Sequence, residues 1–134
     1  MTLVVCLDDQ LGMMFNNRRQ SRDRILLADL VQTLNDKRLL VTPYTAPLFE
    51  ELSYPVLAVE DPCDLAGNDD FCFIETENLL PSTDKVTSVV IYRWNVCYPA
   101  DEFFRTDMRA FSLQKRTFFA GFSHKTITKE VWTR

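Results

Sequence analysis

Four arginines lie close together in the stretch Asn16–Arg24, where the residue types point most directly to binding chemistry. They are Arg18, Arg19, Arg22 and Arg24. A guanidinium donates two parallel hydrogen bonds to a carboxylate or phosphate, and the start of a helix favours the same ligands. The stretch therefore predicts a site for a small anionic ligand, with solvated loop arginines as the simpler alternative.

The sequence pattern places the start of a helix within this stretch. Apolar residues recur at helical spacing at Leu27, Leu30, Val31 and Leu34. Ser21 is a suitable N-cap, and Asp23 in the first turn suits the positive end of the helix dipole. These features predict an amphipathic helix over Ser21–Leu34.

The other elements follow from short apolar runs bounded by turn residues. Strands are predicted at Leu3–Leu7, Arg38–Thr42, Val56–Val59, Phe71–Ile74 and Val86–Tyr92, a brief helix at Thr45–Leu52, and a hairpin at Phe111–Phe119 and Thr126–Trp132. The stretch Met13–Gln20 reads as irregular. Strands that alternate with helices early and follow one another late predict an α/β domain over residues 1–134. Its central twisted sheet is expected to be mostly parallel, with an antiparallel C-terminal edge hairpin and two or three flanking helices.

Three segments resemble dihydrofolate reductase in a shortened form. T-L-V-V-C-L-D-D-Q-L-G-M is similar to that family's first strand and the loop after it. The helix with its early Asp23, followed by L-N-D-K-R-L-L-V-T, is similar to the substrate helix and second strand. V-I-Y-R-W-N-V-C-Y-P-A-D-E-F-F and T-I-T-K-E-V-W are placed like two of its later strands. The resemblance implies a reduced dihydrofolate reductase-like fold.

The resemblance also implies candidate ligand-binding residues. Asp23 lies within one or two positions of the family's acidic pocket residue, which pairs with the pterin, and Tyr92 matches a polar pocket residue on the central strand. Leu27 would line the same ligand pocket, and Ile74 is the remaining candidate ligand-binding residue. The alternatives are an exposed Asp23 that serves the helix dipole, and core positions for Tyr92 and Leu27.

The cofactor motifs of that family are not matched. Thr42-Pro43-Tyr44-Thr45 stands where the family has a Gly-Arg-x-Thr turn, and Glu75-Thr76 stands where it has a Gly-Gly pair. Those glycines let the backbone approach a pyrophosphate, which the carboxylate of Glu75 would repel. No cofactor is therefore predicted, and NADPH binding in the family's manner is not expected.

Composition excludes several other functions. Nineteen acidic against fifteen basic residues give a net charge of −4, and only Phe15 lies among the arginines, so nucleic acid is not expected as a partner. Residues 50–84 carry ten acids and no Lys or Arg, which predicts solvated loops. No apolar run is long enough to span a bilayer, and the four cysteines show no CxxC spacing, so reduced thiols and a cytoplasmic location are expected.

Adjacent residues seldom face each other, which argues against a Ser123–His124 catalytic pair. A pairing of Cys97 with His124 stays open but lacks a third group.

Three functions are compatible with these observations. The preferred hypothesis is a domain that binds an anionic, pterin-like or nucleotide-like small molecule without standard NADPH-dependent reductase activity. The second is a reductase whose nicotinamide or flavin binds differently, over Thr42 and Glu75. The third is an interaction module, for example a homodimer, whose aromatic C-terminal third forms a contact surface that includes Trp94 and Phe104.

Overall fold

A seven-stranded twisted sheet runs through the structure, a computed structural model that describes residues 1–134. Its strands are β1 (Thr2–Leu7), β4 (Leu39–Val41), β5 (Leu57–Ala58), β6 (Phe71–Phe73), β7 (Ser88–Arg93), β9 (Ser112–Phe119) and β10 (Ile127–Thr133). The order is β5-β4-β6-β1-β7-β10-β9, and the first five strands are parallel to one another. β10 is antiparallel to β7, and β9 is antiparallel to β10. The predicted fold class, with its antiparallel hairpin at one edge, is confirmed.

The central strand β1 is apolar because both faces of the sheet are covered. Leu3, Val5 and Leu7 face one core, whereas Val4 faces the other, and all four side chains are fully buried. A buried parallel strand requires this continuous apolar run. By contrast, β9 forms an exposed edge of the sheet, which matches its mixed polarity.

The main helix, α1 (Arg24–Leu34), covers the second core with four leucines: Leu26, Leu27, Leu30 and Leu34. It begins three residues later than predicted, because Asp23 and not Ser21 is the N-cap. Asp23 has extended backbone angles, and its carboxylate accepts hydrogen bonds from the N–H groups of Ile25 and Leu26. The remaining helical elements are short: α2 (Pro62–Leu65) and 3₁₀ segments at Ala46–Leu52, Glu77–Leu79 and Thr83–Lys85.

The stretch that reads as irregular in the sequence contains a second, small sheet. Strands β2 (Gly12–Phe15), β3 (Arg18–Arg19) and β8 (Glu102–Phe103) pair in the order β3-β2-β8. Asn16 and Asn17 have φ values of 54° and 60°, so they form the left-handed turn that joins β2 to β3. Asparagine tolerates this conformation, and two in succession are a hairpin signal that the sequence analysis missed.

Two expectations about exposure are corrected by the packing. Trp94 and Phe104 are only 3% and 5% exposed, so they cannot form a contact surface together. The acidic stretch is not solvated throughout, because Asp70 is buried against Arg38, whose guanidinium donates to its carboxylate. None of the helices combines the length and the hydrophobicity needed to cross a bilayer.

Candidate functional site

The carboxylate of Asp23 joins the start of α1 to the turn between β9 and β10. Its side chain is fully buried. Oδ1 accepts from the backbone N–H groups of Ile25 at 3.0 Å and Phe122 at 2.9 Å, and more weakly from Leu26 at 3.4 Å. Oδ2 accepts from the N–H of Ser123 and from Nδ1 of His124, both at 2.9 Å. Because an ionised carboxylate has about four acceptor positions, Asp23 has none left for a ligand.

The chain turns so close to Asp23 that only glycine fits at position 121. A Cβ atom on Gly121 would lie 2.6 Å from Oδ2 of Asp23 and 2.8 Å from Cδ1 of Ile127. Non-bonded carbon and oxygen atoms do not approach so closely, so Gly121 allows the turn to reach the carboxylate.

These hydrogen bonds also decide the charge of Asp23. Burial by itself would raise the pKa of its carboxyl group, since the charged form loses its water. The hydrogen bonds from Phe122, His124 and Ser123 outweigh burial and hold that pKa well below its usual value. Asp23 is therefore a carboxylate at neutral pH.

His124 continues the hydrogen-bonded chain towards Ser21. In the neutral form of the His124 ring, the hydrogen bond from Nδ1 to the carboxylate of Asp23 places the proton on Nδ1 and leaves the acceptor lone pair on Nε2. Nε2 lies 3.1 Å from Oγ of Ser21 and 3.0 Å from the hydroxyl of Tyr98. The imidazole also stacks on Trp94, with the ring centroids 4.6 Å apart.

Sequence reasoning missed this arrangement because its members are separated by about 100 residues. Ser21 and His124 are 103 positions apart, and no spacing rule links them. The pair left open by the sequence is not formed: Cys97 is exposed and makes no hydrogen bond to His124. Ser123 approaches only Nδ1, at 3.3 Å, which is the nitrogen already committed to Asp23.

A partly buried ion pair lies beside the end of β6. Arg19 donates to both oxygens of Glu75, at 2.8 and 3.0 Å, and its guanidinium lies over the ring of Tyr44. Thr45 donates to the same carboxylate at 2.7 Å. This ion pair lines a cavity of about 20 Å³, together with Ile74, Ser21 and other residues. It has room for about one water molecule and not for a ring.

The four arginines of the predicted anion site are divided between different surroundings. Arg18 is exposed on β3, and Arg19 is paired with Glu75. Arg24 lies over the ring of Phe122 at 3.9 Å, and Arg22 is exposed. None of Arg18, Arg22 and Arg24 takes part in a salt bridge. The structure therefore brings Arg22 and Arg24 to a common exposed surface, whereas Arg19 and Arg22 share only the small cavity.

That surface is a groove of about 400 Å³ between the start of α1 and the 3₁₀ segment Ala46–Leu52, which we call the α1 groove. Its lining residues are Arg22, Asp23, Arg24, Leu27, Pro47, Leu48, Glu50, Glu51, Leu52, Phe122 and Ser123. Two unpaired guanidiniums thus lie beside apolar side chains and two exposed carboxylates. Such a lining suits a small molecule with an apolar body and a localised anionic group.

Tyr92 takes no part in either the α1 groove or the small cavity. Its side chain is fully buried, and its hydroxyl donates to Asp29 at 2.6 Å instead of to Asp23. Burial, reinforced by the nearby carboxylate of Asp29, raises the pKa of Tyr92. The hydroxyl of Tyr92 is therefore directed to α1 and does not meet Asp23.

A second groove, of about 430 Å³, follows the ends of β4 and β6, and we call it the β6 groove. Its lining includes the segment 42–45, Thr76 and three carboxylates, those of Glu60, Glu75 and Glu102. No lysine or arginine lines it. Because a pyrophosphate needs cations or free N–H groups, these residues do not fit the phosphates of a nicotinamide dinucleotide.

The comparisons with known proteins show a fold and no sequence family. No protein-family model matches the sequence, and no curated protein matches it. Among solved structures, the chain is similar to dihydrofolate reductase from Enterococcus faecalis in complex with NADP(H) and RAB-propyl. The TM-score is 0.71 at 9% sequence identity, over 99% of this chain and 95% of the other. The protein thus has a dihydrofolate reductase-like fold.

Proposed function

We propose that this protein is a small-molecule-binding domain that takes a ligand with an anionic group in the α1 groove. The observation that carries the proposal is the pair of unpaired guanidiniums, Arg22 and Arg24, beside the apolar surface of Leu27 and Phe122. Arginines fixed near one another bind a carboxylate or phosphate by several charge-assisted hydrogen bonds.

The groove also limits what the rest of the ligand looks like. Its volume of about 400 Å³ is in the range of small-molecule sites. Glu50 and Glu51 lie in the same lining and favour a ligand that carries hydrogen-bond donors away from its anionic end. A flat pterin-like or nucleotide-like ring fits this description. Its donors would bind Glu50 or Glu51, because the carboxylate of Asp23 already accepts hydrogen bonds from the protein.

Standard NADPH-dependent reduction is not part of the proposal. Arg19 is held by Glu75, and the β6 groove offers carboxylates to a pyrophosphate. The carboxylates and the pyrophosphate are both negative and repel each other, and no lysine or arginine lines the β6 groove to offset this repulsion.

Thermal unfolding with added anions tests the binding proposal. Millimolar phosphate, sulfate or succinate should raise the melting temperature, because a ligand of the folded state stabilises it by mass action. The double variant Arg22→Ala/Arg24→Ala should lose this rise. The matched control is Arg18→Ala/Lys115→Ala, which removes the same charge from two exposed, unpaired residues outside the groove. An unchanged rise in the first variant, or no rise in the parent, would exclude the site.

A spectrophotometric assay tests the reductase alternative separately. Purified protein with dihydrofolate should not oxidise NADPH, and sustained turnover would contradict the proposal. A flavin-coloured preparation, or a rise in melting temperature with NADPH that survives in Arg22→Ala/Arg24→Ala, would favour the reductase with an atypically bound cofactor.

A further inference from the structure

We propose that Ser21, His124 and Asp23 form a nucleophile, its general base and the base's positioning carboxylate, and that they hydrolyse small activated esters. This inference is independent of the anion-binding proposal, because it concerns the hydroxyl of Ser21 and not the guanidiniums of Arg22 and Arg24.

The distances are those that such a set requires. Oγ of Ser21 lies 3.1 Å from Nε2 of His124, and Nδ1 of the same ring lies 2.9 Å from Oδ2 of Asp23. A nucleophile within hydrogen-bond reach of a base, with the base oriented by a third group, is the recognisable geometry of nucleophilic catalysis. The order of hydrogen bonds also gives the imidazole the tautomer that accepts the serine proton.

The three residues differ in burial, and exposure increases from Asp23 to Ser21. The side chains of Asp23 and His124 are 0% and 4% exposed, whereas Ser21 is partly exposed. The stacked ring of Trp94 holds the imidazole in its plane. The base is therefore shielded from solvent and fixed in orientation, while the nucleophile keeps partial contact with solvent.

The surroundings of Ser21 supply polar groups that the fold itself does not use. Gln20 and Ser21 line the same cavity of about 20 Å³, and Oε1 of Gln20 is a buried acceptor without a partner. A water molecule in that cavity would have a polar neighbour beside the serine. Arg22 follows Ser21 in the chain, lines both this cavity and the α1 groove, and is unpaired.

The reaction balances with water as the only co-reactant. Oγ of Ser21 attacks the ester carbonyl carbon as its proton moves to Nε2 of His124, and the carbonyl oxygen becomes negatively charged. When the carbonyl re-forms, the bond to the leaving oxygen breaks and that oxygen takes the proton from Nε2. Water then attacks the acyl group on Ser21 by the same steps, which releases the acid and restores the serine.

Tyr98 competes with Ser21 for the base. Its hydroxyl lies 3.0 Å from Nε2, which has a single lone pair to offer. Replacement of Tyr98 by Phe removes this competitor and leaves the imidazole to Ser21. A merely structural histidine would show no gain of serine reactivity in that variant.

The experiment is covalent labelling with a fluorophosphonate, which phosphonylates activated serines with loss of fluoride, followed by mapping of the adduct by mass spectrometry. We expect one adduct, on Ser21, and faster labelling of Tyr98→Phe than of the parent; an equal rate would count against the proposal. Ser21→Ala should abolish the adduct and lower the hydrolysis of p-nitrophenyl acetate by about 100-fold or more, the usual contribution of base-assisted catalysis. Ser112→Ala, at an exposed serine on β9, is the matched control and should label normally.

Each other outcome counts against the proposal. No adduct in the folded parent, an adduct on Ser123, or unchanged labelling of Ser21→Ala would overturn it. Ser21→Ala is expected to keep the fold, because the Ser21 hydroxyl makes only the single hydrogen bond to His124. If anions do not raise the melting temperature of the parent protein and Ser21 is still labelled, only the anion site is rejected.

Discussion

Asp23 accepts hydrogen bonds from two distant parts of the chain, and this makes it the residue on which the candidate site depends. It caps α1 through Ile25 and receives the N–H groups of Phe122 and Ser123 from the opposite end of the sequence. The same carboxylate fixes the His124 ring. A change at Asp23 is therefore expected to affect stability and site geometry together.

Replacement of Asp23 by Asn should lower the free energy of unfolding by about 2–4 kcal/mol, since an amide cannot accept at both positions and buried charged hydrogen bonds are lost. The effect should depend on pH. The pKa of Asp23 is lower in the folded than in the unfolded state, so its contribution is present above about pH 4 and is lost as the pH falls further.

Urea unfolding at a series of pH values measures this prediction. The difference between parent and Asp23→Asn should shrink as the pH drops from 6 towards 2. Asp9→Asn, at an exposed aspartate without side-chain hydrogen bonds, is the control and should show no such difference. A difference that stays constant over the whole range would contradict the account of Asp23.

Arg19 and Glu75 provide a second prediction at the scale of residues. Their side chains are 21% and 9% exposed, and the contact is bidentate, so a double-mutant cycle with Arg19→Met and Glu75→Gln should give a coupling energy of about 1–2 kcal/mol. The pair Arg109–Asp107 is the exposed control, for which no measurable coupling is expected. Equal coupling in the two pairs would show that partial burial does not strengthen the contact of Arg19 with Glu75.

At the scale of elements, the turn between β9 and β10 is fitted to the start of α1. Gly121→Ala should lower the free energy of unfolding by about 1–3 kcal/mol, the usual cost of forcing an extra methyl group into a packed place. The matched variant is Gly67→Ala, where a Cβ would meet its nearest neighbour only at 3.6 Å, and it should be close to neutral. Similar melting temperatures for the two variants would contradict the close approach at Gly121.

Elements that obey a local pattern could be predicted from the sequence, and those set by distant contacts could not. The apolar run of β1 and the leucine spacing of α1 are local signals, and both elements are found. The start of α1 was misplaced because Ser21 and Asp23 are equally good caps by type. Only the contacts of Asp23 with Phe122 and of Ser21 with His124 decide between them. In the small sheet, the β2–β3 hairpin has a local signal in Asn16 and Asn17, whereas the third strand, β8, lies far along the chain and has none.

At the scale of the whole molecule, the order of elements was enough to predict the fold, whereas the site had to come from the structure. Nothing in the spacing of the four arginines indicates that Arg19 forms an ion pair with Glu75, 56 residues away. Tyr92 likewise meets Asp29 and not Asp23. The predicted homodimer and cytoplasmic location stay predictions, and light scattering of the purified protein tests the first of them.

We propose that this fold binds an anionic ligand in the α1 groove and holds no dinucleotide in the β6 groove. Titration of the isotopically labelled protein with NADPH, followed through its backbone amide resonances, tests both parts at once. The phosphates of NADPH should perturb amides at Arg22–Arg24 and Phe122–Ser123, and leave Thr42, Thr45 and Thr76 unchanged. Saturable shifts at those three threonines, with none at the start of α1, would contradict the account.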